Sequence, residues 1–343
     1  LKTNQPKVLI VYTGGTIGMI QDTKTGVLKA FDFKHLSSQI PELERLNVSL
    51  DTISFDKPVD SSEMDPSHWK KIAEIVYEKY DNYDGFVVLH GSDTMAYSAS
   101  ALSFMLQGLK KPVIFTGSQL PIGTIRTDGK ENIITAIEIA GEKDQDALSI
   151  IQEVAIYFEY SLYRGNRTSK ISASHFEAFS SPNFPELAVA GVQINYSKQE
   201  KQEKTQELEF FTNFEDRVAL LKIFPGFSPK VYSSIFDINT VKGIVIESFG
   251  SGNVPSNKDF QNLVLNYLAA GGIILNITQC STGKVNQGKY ETSAFLEQNG
   301  VVGGNDLTTE AAITKMMYLL GKYSNREEII SKLKENIAGE ISL

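Results

Sequence analysis

Four short runs are dominated by apolar residues: KVLIVY at 7–12, GFVVLH at 85–90, KPVIFTG at 111–117 and VAIYFEY at 154–160. A strand with one wet face alternates polar and apolar residues. These runs do not alternate, so they read as strands buried on both faces. Between them lie DPSHWKKIAEIVYEKYD (65–81), TMAYSASALSFMLQGL (94–109) and GKENIITAIEIAG (129–141), with apolar residues three and four apart. That spacing predicts helices, and Asp65-Pro66 supplies an N-cap and a first-turn proline. Strand, helix, strand, helix predicts an α/β fold: a mostly parallel sheet covered by helices on both faces. Such sheets bind ligands at the carboxyl ends of their strands.

The rhythm changes near residue 187. AVAGVQINYS and ELEFFTNF read as two strands joined by the charged run KQEKQEKTQE, a solvated hairpin tip or linker. From residue 218 the α/β pattern returns through VALLKIF, GIVIESFG, FQNLVLNYLAAG and GIILNITQC, and a helical tail starts near Thr309. The 343 residues favour two domains. The expected division is a larger N-terminal domain over 1–190, a hairpin and linker over 191–215, and a smaller C-terminal α/β domain over 216–343. No run approaches the ~20 apolar residues that span a bilayer, and no leader-like apolar core precedes the first strand. One cysteine, Cys280, rules out an intramolecular disulfide and suits a reducing, cytoplasmic location. A net charge of −8 argues against a nucleic-acid partner. It says nothing against a small substrate.

Polar residues punctuate the strand ends. After the first strand comes Thr13-Gly14-Gly15-Thr16. It lacks both the G-x-G-x-x-G dinucleotide pattern and the Gly-Lys-Ser/Thr of a P-loop. Two readings remain, a plain turn or a turn that presents the Thr16 hydroxyl. LHGSDTMAY (89–97) offers Ser92, Asp93 and Thr94 at a helix start, as caps or as a hydroxyl, a carboxylate and free N–H donors. DSSEMDP (60–66) offers Asp60, Ser61 and Ser62, again as caps or as a carboxylate pocket. LYRGNRTSK (162–170) crowds two arginines and Lys170, as surface charge or with the lysine set beside an acid. The histidines His35, His68, His90 and His175 have no zinc-ligand spacing. No G-x-S-x-G elbow supports a serine triad, and His90 reads as the end of a buried strand.

Together these motifs resemble the L-asparaginase family. TGGTIG, DSSEM, HGSDTM and the lysine after RGNRTS match its pattern. DGFVVLHGSDTMAYSASALSFML, NITQCSTGKVNQGKY and VVGGNDLTTEAAITK resemble its bacterial cytosolic type I branch. The resemblance implies hydrolysis of asparagine to aspartate and ammonia without metal or cofactor. It makes Thr16 the nucleophile, through a β-aspartyl ester, and Ser92, Asp93 and Lys170 the second hydroxyl–carboxylate–lysine set. The N–H groups of Thr16 and Ser92 become oxyanion donors. Asp93 meets the substrate ammonium, and Asp60, Ser61 and Ser62 lie on its carboxylate side. It also implies a homodimer or a homotetramer built of dimers, with each site finished by the partner's C-terminal domain, and no membrane partner. The alternatives are a glutamine-directed relative, an amidotransferase subunit, or a non-catalytic amino-acid-binding protein of the same fold.

The chain departs from the family in four places. Ser92 stands where threonine is common, and Ser62 where the secreted branch has glutamine. In the lid after TGGTIG, alignment through Gly26 puts Val27 at the position of an activating tyrosine, with only Thr23 and Thr25 as nearby hydroxyls. Glu247 falls at an arginine of the type I second asparagine site, so no activation by asparagine is expected.

Overall fold

The structure, a computed structural model, describes residues 5–18, 20–21, 28–29, 40–198, 207–288 and 291–342. Its contacts divide the chain into two compact units, 1–181 with 185–210, and 182–184 with 211–343.

In the first unit, β1 (Lys7–Gly14) pairs in parallel with β2 (Ser49–Val59) on one side and β3 (Gly85–Leu89) on the other. β4 (Val113–Thr116) and β5 (Val154–Phe158) extend the parallel array. Then β6 (Ser161–Arg164), β7 (Ala188–Ala190) and β8 (Ile194–Tyr196) add antiparallel strands. The order across the eight strands is β8-β7-β6-β5-β4-β3-β1-β2. Every residue of β3, β4 and β5 is buried, as are Val8–Gly14 of β1. Both faces of the central strands are therefore covered, as their unbroken apolar runs require.

The helices are α1 (Pro66–Lys79), α2 (Met95–Met105) and α3 (Gly129–Gly141). Asp65 caps α1 by accepting from Ser67 N and His68 N, while His68 returns the bond to the Asp65 N–H. A cap of this kind stabilises by about 1 kcal/mol. Trp69, Ile72, Ala73 and Val76 form the buried stripe of α1. α2 stops at Met105 because Leu106–Gln107 leave it as a short strand.

Here the structure corrects the hairpin expected around 191–215. AVAGVQINYS is two strands, not one: β7 and β8 turn on each other at 191–193. The later run contributes Glu209–Phe210, which pairs with Leu106–Gln107 and not with β7 or β8.

The second unit is built on four parallel strands in sequence order: β9 (Val218–Lys222), β10 (Gly243–Ser248), β11 (Ile273–Thr278) and β12 (Val302–Gly303). Its helices are α4 (Lys258–Ala269), α5 (Glu291–Gln298), α6 (Thr309–Lys322) and α7 (Arg326–Lys334). Phe236, Phe260 and Tyr267 anchor one side of the core with Ile244, Ile246 and Ile274. Lys315 and Glu340 form an ion pair with no exposed surface at 2.6 Å. Lys315 Nζ also donates to the Leu333 and Glu335 carbonyls, and Glu340 accepts from Ile337 N and Ala338 N. A buried pair persists only when its remaining donors and acceptors are met in this way.

Candidate active site

The site forms where β1, β2, β3 and β4 end, on the carboxyl rim of the larger sheet. Glycine lets these ends close on one another. Gly14 and Gly15 both sit at positive φ, 138° and 84°. A Cβ on Gly14 would lie 2.1 Å from the Val59 carbonyl oxygen, and one on Gly15 would lie 2.4 Å from the Gly91 nitrogen. A Cβ on Gly91 would fall 2.6 Å from Ser61 Oγ. Any side chain there would drive the loops apart. The three loops that carry Thr16, Ser61 and Ser92 are thus in backbone contact. Thr13 ties two of them together through Oγ1 to the Leu89 carbonyl, 3.0 Å.

Thr16 opens a short 3₁₀ turn over Thr16–Gly18 and is half-buried. Asp60 caps the next turn, Ser61–Glu63, by accepting from Ser62 N and Ser62 Oγ at 2.9 and 2.8 Å. Those two donors hold the Asp60 carboxyl below its usual pKa. Ser61 is buried, and its carbonyl accepts the Thr94 hydroxyl at 2.6 Å. Neither Ser92 nor Asp93 caps α2. Thr94 is the N-cap residue, and its hydroxyl goes to Ser61 rather than to the helix. Ser92 and Asp93 are left for other work.

That work involves Lys170. It reaches the rim from a short strand pair, Ser169–Lys170 against Phe179–Ser180. Its Nζ donates to Ser92 Oγ at 2.8 Å and to Asp93 Oδ1 at 2.7 Å. The lysine side chain is 15% exposed and that of Asp93 67%. An amine shielded on its stem but tied to a hydroxyl and a carboxylate can move protons to and from that hydroxyl. The neighbouring arginines were open to reading as surface charge. Arg167 is instead fully buried, and Arg164 pairs with Glu153.

Two groups at the rim escape the motif reading. Gln119 follows β4 and accepts the Ser92 hydroxyl at 3.2 Å. Its Nε2 donates to the His175 carbonyl, and its N–H is held by the Asp128 carboxylate. The other group is His90, fully buried, whose ring contacts Gly91 O and Ser98 Oγ. Both contacts join residues far apart or face inward, and neither leaves a local signature. The lid positions Thr23, Thr25 and Val27, and His35, lie outside the described residues. Among the described residues, no group of His, Cys, Asp and Glu could hold a metal ion, and no helix is long and apolar enough to cross a membrane.

Residues 7–202 match the family described as Asparaginase, N-terminal, and residues 217–332 match the Glutaminase/Asparaginase C-terminal domain. The chain belongs to the asparaginase family. It is an enzyme of the amidohydrolase class. L-asparaginase 1 of Escherichia coli K12 is 41% identical to it over 340 residues, 98% of each chain. The crystal structure of L-asparaginase I from Vibrio cholerae superposes with a TM-score of 0.89 at 36% identity, covering 99% of this chain and 100% of that one. The thermostable L-asparaginase of Thermococcus kodakarensis gives 0.89 at 30% identity, covering 98% and 99%. These asparaginases share both α/β units, so the larger mostly parallel sheet and the smaller parallel one are family features.

Proposed function

We propose that this chain hydrolyses the side-chain amide of L-asparagine to L-aspartate and ammonia, with Thr16 as nucleophile. The observation that carries the reading is the pair of bonds from Lys170 Nζ to Ser92 Oγ and Asp93 Oδ1, on the strand end that the Thr16 turn touches through Gly15 and Gly91.

The Thr16 hydroxyl oxygen attacks the amide carbonyl carbon. The carbonyl electron pair moves onto oxygen, where the N–H groups of Thr16 and Ser92 receive it. A hydroxyl near its ordinary pKa is a weak nucleophile, so its proton must leave as the bond forms. Ser92 and Lys170 carry that proton, and Asp93 balances the charge on the amine. When the tetrahedral intermediate collapses, the C–N bond breaks, the nitrogen takes a proton and ammonia departs. A β-aspartyl ester remains on Thr16. Water then adds to the ester carbon, the C–O bond to Thr16 breaks, and the hydroxyl regains its proton. Valine has no group that can carry a proton, so the proposed path relies on Ser92 and Lys170 and not on Val27.

Asp93, two-thirds exposed, also faces the substrate ammonium. Ser61 and Ser62 take the carboxylate side. Ser62 N and Ser62 Oγ both donate to Asp60 Oδ1, so Asp60 acts by holding that turn. On this reading the enzyme works as a homodimer or a dimer of dimers in the cytoplasm. Ammonia release from the purified protein given asparagine, glutamine or neither tests the activity. Release with asparagine alone is the expected result. Release with neither amide substrate would remove the assignment.

A further inference from the structure

The rim contains a conflict. Close packing of Gly91 against Gly15 and Ser61 leaves no room for a side chain at residue 91. Glycine is also the residue whose peptide neighbours rotate most freely. Yet the next amide, that of Ser92, must hold one direction if it is to meet a developing oxyanion. This argument rests on the proposed use of the Ser92 N–H as an oxyanion donor.

We propose that His90 resolves the conflict as a positioning residue: it clamps the Gly91 carbonyl and so aims the Ser92 N–H. The Gly91 carbonyl and the Ser92 N–H belong to one peptide unit, and there are no cis peptide bonds among the described residues. In a planar trans unit, C=O and N–H point in opposite directions, so fixing one aims the other. His90 Nδ1 lies 2.7 Å from the Gly91 oxygen. A carbonyl oxygen only accepts, so Nδ1 carries the proton. The other ring nitrogen must then accept. Ser98 Oγ sits 2.9 Å from Nε2 and donates to it. The Ser98 oxygen in turn accepts from Trp69 Nε1 at 2.9 Å. Each donor in this buried chain meets one acceptor, from α1 through α2 to the end of β3. The chain therefore selects the tautomer that grips Gly91.

Burial supports the same assignment, because it pushes the His90 pKa down to about 4 and keeps the ring neutral at ordinary pH. The ring edge rests against Phe115 at 5.7 Å between centroids, which fixes its plane. Its ring meets the Gly91 carbonyl, Ser98 Oγ and Phe115, so it acts on the site through the Gly91–Ser92 peptide. Its contribution is to the transition state and not to substrate binding.

The test compares His90→Leu, His90→Asn and wild type by kcat and KM for asparagine, with aspartate as a competitive inhibitor. Loss of an entire oxyanion donor costs about 10²–10³-fold in kcat. A mis-aimed donor costs less, so His90→Leu is expected to lower kcat about ten- to a hundredfold. KM and aspartate affinity should stay within about twofold of wild type. Asparagine at position 90 can place its side-chain N–H where Nδ1–H was, and the Ser98 hydroxyl can turn to the Thr94 carbonyl one helical turn back. His90→Asn should therefore recover kcat to within about fivefold of wild type. The proposal is overturned by a folded His90→Leu enzyme with wild-type kcat, by KM rising in step with the loss, or by a His90→Asn enzyme no better than His90→Leu. Should His90→Leu fail to fold, Ser98→Ala asks the same question, since it removes the hydroxyl that selects the tautomer. A fall in kcat at constant KM supports the clamp, and an unchanged kcat overturns it. Thr16→Ala is run alongside. If it keeps turnover, the underlying mechanism falls. If it loses turnover while His90→Leu keeps it, only the clamp falls.

Discussion

The two parallel sheets end their strands differently. In the larger one the glycines after β1 and β3 are points of contact: a Cβ on Gly15 or Gly91 would meet another loop at 2.4–2.6 Å. In the smaller one, Gly250 and Gly283 follow β10 and β11 at positive φ, and a Cβ on either would meet nothing within 4 Å. At these two positions glycine serves the turn alone, whereas a Cβ on Gly252 or Gly304 would meet the Val285 or Ile277 side chain at 2.9 or 2.6 Å. The polar groups differ in the same sense. The larger rim leaves Thr16 half-buried and Asp93 mostly exposed. The smaller rim turns its polar groups on itself. Glu247 accepts the Thr309 hydroxyl and pairs with Lys222, Ser248 donates to the Ile277 carbonyl, and Gln279 donates to the Glu247 carbonyl. Ligand sites favour the carboxyl ends of parallel strands, but that location alone does not make chemistry. Close approach of the loop backbones and a lysine tied to a hydroxyl and an exposed carboxylate set the larger rim apart.

The largest test of this contrast is Thr16→Ala. On the proposed mechanism it removes the attacking atom, so turnover with asparagine should fall at least about 10⁴-fold. Circular dichroism and the unfolding midpoint should stay near wild type, because the residue is half-buried on a turn. Ammonia release near the wild-type rate from a folded variant would leave the larger rim without its nucleophile.

Lys170→Met comes next. It keeps the stem and deletes the amine that binds Ser92 Oγ and Asp93 Oδ1. Acid–base assistance of this kind contributes about 10²–10⁴-fold, and a loss in that range is expected in kcat. A loss below about tenfold would reduce the lysine to an ion-pair partner.

How legible was this in the chain? The buried strands were, since VLIV and FVVL carry their burial on both faces in composition. So was the cap at Asp65, where a short polar side chain precedes proline. β2 was not. It is the sheet's edge, half-exposed, and its Asp51, Asp56, Lys57 and Pro58 break any apolar run. The β5–β6 hairpin turns through Glu159 and Tyr160, both at positive φ without a glycine or asparagine to announce it. Thr16, Ser92, Asp93 and Lys170 stood out because each lies in a short polar motif at a strand or turn. Gln119 did not, because its meaning is a contact across 27 residues. His90 was legible as buried, but its partner chain through Ser98 and Trp69 exists only once α1 and α2 have packed.

The histidines also set the units apart, since His68, His90 and His175, the described ones, all lie in the first unit. His90 is depressed from 6.5 to about 4 by burial. Between those values the unfolded chain holds a proton there that the folded chain does not. Its neutral burial therefore favours the folded state fully above about pH 6.5, and the benefit is lost as pH falls toward 4. At about 1.4 kcal/mol per unit, the change is on the order of 3 kcal/mol. The unfolding midpoint of wild type should fall more steeply from pH 6.5 to pH 4 than that of His90→Asn. Parallel curves would mean that His90 does not titrate on unfolding.

The smallest expected effect belongs to the second rim, and it bears on whether that rim is silent. A site that activates the enzyme by holding asparagine needs a cation for the ligand carboxylate. The resemblance aligns Glu247 with that cation, and the Glu247 side chain is only 10% exposed. One oxygen takes the Thr309 hydroxyl and the other lies 3.1 Å from Lys222 Nζ. Lys222 is therefore already paired, and an incoming carboxylate would have to displace Glu247 while sharing its negative field. Asparagine should act as substrate alone, with hyperbolic saturation and a Hill coefficient near one. Glu247→Gln keeps an acceptor for Thr309 and removes the charge. Lys222 is 63% exposed, so water can take over its solvation and the ion pair contributes about 1 kcal/mol at most. The variant should unfold at nearly the wild-type midpoint and turn over asparagine within about twofold of the wild-type rate. Sigmoidal kinetics in the wild type, made hyperbolic by Glu247→Gln, would show that this rim binds asparagine after all. The difference between the two sheets would then be one of ligand and not of activity.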